Sequence, residues 1–273
     1  MNNKWTNNDY LVIVGATSGL GTECVQQWLN QGGSCLLIAR NQEKLQKVIS
    51  QLTYNEQQQI LSLSYDAAEV EQTTMLIKQL DQLLEQLNKA GHKIVGVINC
   101  IGYGLFANYF EFQTTDIQAM FQVNTLSLIE LTNYFAQYFS KQKAGHIMNV
   151  ISMAGKLATP KSSIYSATKF ALIGYINSLR LEVAHHNVYV TAVNLGPMAT
   201  VFFEVADPNG SYLDNLHPKL ILQPQQVATK MIKYIGHNKR ELNLPWYMNF
   251  GYHCYQVMPK VGDYLTRTIF NKK

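Results

Sequence analysis

Tyr10-Leu-Val-Ile-Val14 runs directly into Gly15-Ala-Thr-Ser-Gly19-Leu-Gly21, and a helical stripe of Leu20, Cys24 and Trp28 follows. Five apolar residues rich in β-branching, stopped by glycine, read as a strand buried on both faces. Such a strand needs covering layers on two sides. The glycines allow a tight turn and a close backbone approach to a pyrophosphate at the N-terminus of the next helix, where amide groups and the helix dipole favour an anion. The spacing is G-x-x-x-G-x-G and not the G-x-G-x-x-G of other dinucleotide folds, but it sits between strand and helix, as a phosphate-binding turn requires.

The pattern repeats along the chain. Gly32-Gly33 ends the first helix, and Cys35–Ala39 reads as a second strand. Asn41 caps a helix to about Leu52, Ile60–Ser64 is a third strand, and a long helix runs from Glu69 to Ala90 with Leu76, Leu80, Leu83, Leu84 and Leu87 inward. Lys93–Asn99 follows as a strand, then a single helix from about Thr115 to Lys141, a strand at His146–Ile151, a helix at Ser163–His186 and a strand at Val188–Asn194. After Gly196 regularity fails for about 25 residues before a helix near Gln225–Ile235, a strand near Leu242 and an aromatic tail. Strands alternating with helices predict an α/β chain, with a three-layer, doubly wound parallel sheet of Rossmann type in one domain, residues 1–273.

The 273 residues suffice for a sizeable core. A net charge of +4 without a Lys/Arg run excludes nucleic acid as an expected partner. The N-terminal residues are polar and lack a signal-peptide pattern, and no apolar stretch reaches the roughly 18 residues of a spanning helix. Cys24, Cys35, Cys100 and Cys254 are scattered, which fits reduced thiols in a cytoplasmic protein and no metal site. His185-His186 point to different sides of a helix end and make a poor chelate.

Tyr165 and Lys169 stand four residues apart, and on a helix they share a face. A free tyrosine, with a pKa of about 10, is a poor proton-transfer group at neutral pH. A neighbouring cation favours the phenolate and lowers that value. Ser152, at the end of the preceding strand, can hold a substrate oxygen at the same place. Together these groups suit moving a proton while another group moves a hydride. Arg40, at the end of the second strand, stands where an acid would bind the ribose hydroxyls of NAD, and its guanidinium suits a 2′-phosphate instead. NADPH, in preference to NADH, is therefore the expected cofactor.

With the turn, Ser152, Tyr165 and Lys169 in register, the sequence resembles the short-chain dehydrogenase/reductase family, in its single-domain branch, over about residues 9–203. Asp66 follows the third strand, where the family places an acid against the adenine. Asn99-Cys-Ile-Gly102 resembles its N-N-A-G. Asn124 occupies the place of its fourth catalytic residue, and Asn194-Leu-Gly-Pro-Met198-Ala-Thr200 resembles the P-G-x-x-x-T that holds the nicotinamide amide. Val14, Cys100, Ile101, Ile151 and Leu195 depart from the usual residues beside the cofactor. The resemblance implies that Gly15, Thr17, Ser18, Gly19, Leu20, Gly21, Arg40, Asp66, Asn99, Gly102, Met198 and Thr200 hold the cofactor, with Tyr165 and Lys169. Tyr165 would donate the proton. Lys169 would tune it and hold the ribose. Ser152 would bind the substrate oxygen, and Asn124 would support a proton path to Lys169. The function implied is reversible reduction of a ketone or aldehyde to an alcohol. The alternative is a non-catalytic NADPH-binding sensor or scaffold.

By the same resemblance the substrate pocket falls to Tyr103, Leu105 and Phe106, to Ser152, Met153 and Leu157, and to Met198, Val201, Phe202 and Phe203, an apolar set that suits a hydrophobic carbonyl compound. Residues 198–220 form the expected lid, with a turn at Asp207-Pro-Asn-Gly210; the Phe202-Phe203 to Tyr212 pattern resembles uncharacterised bacterial members. From Met198 to Leu216 the lid carries the acids Glu204, Asp207 and Asp214 and no Lys or Arg, which disfavours a phosphorylated substrate. The aromatic tail, residues 245–273, is read as a pocket wall, a dimer contact or a weak peripheral membrane contact. A homodimer or homotetramer is expected from the family.

Overall fold

The computed structural model describes residues 5–207, 214 and 216–269. Strand β1 (Asp9–Val14) lies in the middle of the sheet, and Tyr10 to Val14 are fully buried, as an apolar run without alternation demands. It pairs in parallel with β2 (Ser34–Ala39) on one side and β4 (Lys93–Asn99) on the other. With β3 (Ile60–Ser64), β5 (Gly145–Val150), β6 (Val188–Leu195) and β7 (Glu241–Leu244) the order is β3-β2-β1-β4-β5-β6-β7, every pairing parallel. The direction of winding reverses between β1 and β4, so their C-terminal ends open a crevice where this architecture binds ligands.

Helices cover both faces, giving the three layers expected. Helices α1 (Gly19–Leu29) and α2 (Gln42–Gln51) bury Trp28, Val25 and Leu45 against one face. Helix α3 (Val70–Lys89) brings Leu76, Leu80 and Leu84 to the other.

The single helix expected over 115–141 is three elements. Helix α4 (Thr114–Phe121) passes into a π-helical turn at Gln122–Leu126, and α5 (Ser127–Gln142) continues with Leu128, Leu131 and Phe135 in the core. Helix α6 (Ser163–Glu182) stops four residues before the expected end, and a 3₁₀ turn at Ala184–His186 completes the segment. Beyond β6 come α7 (Phe202–Ala206) and α8 (Pro224–Lys233), the latter packed beside α1. The aromatic tail is two helices, α9 (Trp246–Val257) and α10 (Pro259–Ile269). Residues 208–210 of the expected lid turn, and Tyr212, lie outside the described residues. Among the described residues no His/Cys/Asp/Glu group could hold a metal, and no helix is long and apolar enough to cross a membrane.

One polar residue in the run Asn55-Glu-Gln-Gln-Gln59 holds α1 in place. The Gln58 amide is 5% exposed and donates to the Leu29 carbonyl at 2.8 Å and the Gly33 carbonyl at 2.7 Å. It satisfies the open carbonyls at the end of α1 and ties them to the entry of β2. Gln58→Met keeps the bulk and removes both donors. It is expected to lower unfolding stability by roughly 1–3 kcal/mol in urea with an unchanged m value.

Candidate active site

The turn after β1 is held from several sides. Gly15 has φ +84° and rests on the Cys100 carbonyl, where a Cβ would lie 2.9 Å from the oxygen. Its N–H donates to the Ile38 carbonyl at 2.8 Å. Ser18 caps α1: its hydroxyl accepts from the Gly21 N–H at 3.0 Å and donates to the Gly15 carbonyl at 2.8 Å. A side chain at Gly21 would collide with the Gly15 carbonyl, so the first turn of α1 can approach only as glycine. Ser18, Gly19 and Leu20 thereby line a cavity, with the N-terminus of α1 at its edge. Gly15, Thr17 and Gly21 shape the turn without lining it. A pyrophosphate fits this cradle in both shape and charge.

Tyr165 and Lys169 occupy successive turns of α6 and both line the same cavity. Lys169 is 2% exposed, and burial pushes its ammonium down to about 8. Its Nζ stands 5.7 Å from the centre of the Tyr165 ring. Gly102, with φ +150°, lies against it: a Cβ there would come within 2.9 Å of the Lys169 Nζ and 3.2 Å of the Asn124 Oδ1. Asn124 is fully buried in the π turn. Its Oδ1 accepts from the Tyr103 N–H at 2.9 Å, and its Nδ2 donates to the Tyr103 carbonyl at 2.8 Å and the Thr168 hydroxyl at 3.2 Å. Ser152, at the end of β5, also lines the cavity; its hydroxyl accepts from the Ala154 N–H at 3.0 Å and donates to the Leu195 carbonyl at 3.4 Å. Ser152, Tyr165 and Lys169 thus meet at one wall, and Asn124 supports it from behind.

The cavity encloses about 690 Å³. All the pocket residues expected from the sequence line it except Leu105. Phe106 meets Tyr165 edge-on at 6.1 Å, and Phe202 tilts against the same ring at 5.6 Å. The Phe106 N–H donates to the Ala206 carbonyl at 2.9 Å, which fastens α7 over the tyrosine. Met198 and Thr200 line the side near α1, where the Thr200 methyl would lie 3.2 Å from a Cβ on Gly19.

Two expected cofactor residues lie at the far end of the crevice. Arg40, three-quarters exposed, follows β2, and its Nε is 4.0 Å from the Asp66 carboxylate. Asp66 is fixed by an N–H bond from Ala68 at 3.0 Å. Asn99 does not line the cavity. It is fully buried and donates to Asn149 at 2.7 Å, joining β4 to β5.

Two features were not read from the sequence. Lys156, 7% exposed, follows the turn after Ser152 and donates to Glu241 at 2.5 Å and to Asn249 of α9 at 2.9 Å. Burial would raise the Glu241 carboxyl, but hydrogen bonds from Lys156 and Asn243 and the nearby cations hold it below its usual range. This node binds the loop after Ser152, β7 and the tail together. Cys24 and Cys100, distant in sequence, are hydrogen-bond neighbours beneath the glycine turn, and that contact, with burial, pushes the Cys24 thiol far up. A lone lysine and two separated cysteines carry no local signal for either meeting. Of the alternatives read for the tail, the pocket wall is the one seen within this chain: α9, α10 and Met258 between them line the outer part of the cavity through Met248, Tyr255, Met258, Val261 and Leu265.

The family profile for short chain dehydrogenase matches residues 9–209, and the chain belongs to that oxidoreductase family, whose members bind nicotinamide cofactors. A 3-dehydrosphinganine reductase from Danio rerio is 29% identical over 237 residues, covering 83% of this chain and 68% of the relative. An uncharacterised oxidoreductase from Staphylococcus aureus (strain USA300) is 28% identical over 228 residues, covering 84% and 94%. The solved short-chain dehydrogenase from Sphingobium yanoikuyae in complex with NADPH shares the fold with a TM-score of 0.76 at 19% identity, covering 92% of this chain and 94% of that one.

The buried ammonium has a pH signature. Below pH about 8 Lys169 is protonated in folded and unfolded chains alike, and the ligand-free fold bears the whole cost of burial. Between about 8 and its ordinary 10.5 the folded amine is neutral while the unfolded one stays charged, so stability rises with pH. Relative to Lys169→Met, the wild type is expected to gain roughly 3 kcal/mol across that window in urea titrations. A pH-independent difference contradicts burial of the charge.

Proposed function

We propose that the protein is an NADPH-dependent carbonyl reductase that converts a hydrophobic ketone or aldehyde to the alcohol, reversibly. The observation that carries the reading is the meeting of Ser152, Tyr165 and Lys169 at one wall of an apolar cavity, beside the N-terminus of α1. The relatedness to a protein named as a reductase, 3-dehydrosphinganine reductase, supports the direction. The solved relative with NADPH and the free guanidinium face at the end of β2 support the cofactor.

Bound NADPH supplies the hydride that the carbonyl carbon receives. The chain's own groups act on the oxygen. Ser152 donates a hydrogen bond to it and stabilises its developing negative charge. Tyr165 gives its phenolic proton to that oxygen, which completes the alcohol. The Lys169 ammonium, still protonated near neutral pH, stabilises the phenolate left behind and reaches the ribose side of the cofactor. Asn124 keeps its side chain against Gly102 and Tyr103, so the floor beneath Lys169 stays fixed. The aromatic cover of Phe106 and Phe202 keeps water from the reacting oxygen. Arg40 pairs with the 2′-phosphate at the other end.

Tyr165→Phe removes the proton donor alone. Ketone reduction is expected to fall at least a thousandfold while NADPH affinity, measured by fluorescence titration, stays within about threefold. Wild-type turnover in this variant refutes the mechanism. Arg40→Ala is expected to weaken NADPH binding roughly ten- to hundredfold and to leave NADH binding nearly unchanged. Equal losses for the two, or tighter NADH binding by the wild type, would overturn the cofactor assignment. NADPH binding without oxidation across ketones, aldehydes, quinones and β-keto esters favours the sensor reading.

A further inference from the structure

The cavity has a direction. Ser152, Tyr165 and Lys169 line its inner end, while the outer part is mostly apolar, with hydroxyls from Tyr247, Tyr255 and Thr266. The outer part runs along α9, where Tyr247, Met248, Gly251, Cys254 and Tyr255 line it, and Met258 continues the wall just past the helix end. The helical positions form one continuous stripe over about two turns, or about 12 Å at about 1.5 Å per residue. Val261 and Leu265 of α10 carry the wall further. Among the described lining residues Lys169 is the sole charged group, so the outer part offers no charge to pair with a carboxylate or a phosphate.

Gly251 sits halfway along the stripe. A glycine inside a helix is destabilising relative to alanine unless space requires it. No packing contact requires it here, because a Cβ at Gly251 would meet nothing within 4 Å. Gly262, by contrast, is pressed against the Tyr255 ring, where any side chain would collide. The missing side chain at Gly251 leaves a clear path between the flexible thioethers of Met248 and Met258, which adapt to an occupant without a fixed shape.

We infer that the outer cavity takes a long unbranched hydrocarbon chain of the carbonyl substrate, laid along α9 past Gly251, with the carbonyl at Ser152 and Tyr165. The inference rests on the carbonyl-reductase reading for the position of the head group, and on the wall alone for the chain. Each methylene withdrawn from water tightens binding by roughly fourfold, so affinity climbs with chain length until the chain leaves the wall. Gly251 sets how far that is.

Straight-chain methyl ketones from butanone to tetradecanone, assayed with NADPH, test turnover. Calorimetric binding of the matching secondary alcohols tests the wall without turnover. Wild-type kcat/KM and alcohol affinity are expected to rise at least a hundredfold over the series. Gly251→Leu is expected to cut the long-to-short ratio at least tenfold, and Gly251→Ala by less, with folding checked by thermal melts. Affinity independent of chain length, or a ratio unmoved by Gly251→Leu in a folded variant, overturns the inference. So does a fused-ring ketone of equal carbon number that serves as well as the chain. If short ketones are reduced without any chain-length trend, the inference fails and the reductase reading stands. If alcohols bind with the trend but no ketone is reduced, the reductase reading fails and the chain-binding wall stands.

Discussion

A charged ammonium almost out of reach of water is stable only when its surroundings are fixed, and the Lys169 site is organised around that demand. Helix α6 sets the phenol of Tyr165 one turn away. The chain after β4 passes so close that a Cβ at position 102 would press on the Lys169 Nζ at 2.9 Å. Asn124 grips both the N–H and the carbonyl of Tyr103, which stops that chain from retreating. The π turn is what places Asn124 there. One extra residue in the winding rotates it inward while α4 and α5 keep their own faces on the core. Strand ends, a distorted helix and a glycine therefore converge on a single cation whose charge the proposed chemistry uses.

The supporting frame was legible because its signals are local. Buried parallel strands are apolar runs, and helices α1 and α3 carry periodic stripes, so alternation alone predicts the layers. The glycine turn and the Tyr165–Lys169 step sit within seven residues each. The π turn was not legible, since Phe121-Gln-Val-Asn-Thr-Leu-Ser127 has ordinary helix composition and a single inserted residue leaves no mark in it. Asn99 illustrates a different limit. Motif position puts it beside the cofactor, yet its side chain turns into the sheet toward Asn149. A motif places a residue on an element, and only the register between strands decides which way it faces.

The tail was the least legible part. Helix α9 carries apolar residues on two sides: Met248 and Tyr255 face the cavity, while Trp246 and Phe250 remain exposed. A helix apolar around most of its circumference lacks the one-sided stripe that identifies amphipathic helices from sequence. Its anchorage was equally hidden, because the Lys156–Glu241–Asn249 node joins positions more than eighty residues apart.

That node has a consequence for how this chain can vary. The family match ends at residue 209, before β7, α9 and α10, so Ser152, Tyr165 and Lys169 lie in one stretch of sequence and the outer wall in another. Lys156 is the fastening between them, reaching from the turn after Ser152 to the strand and helix that carry the wall. Because the carboxylate of Glu241 stays with β7, a chain built this way can exchange its last two helices for others so long as the newcomers offer that lysine an acceptor in place of the Asn249 amide oxygen.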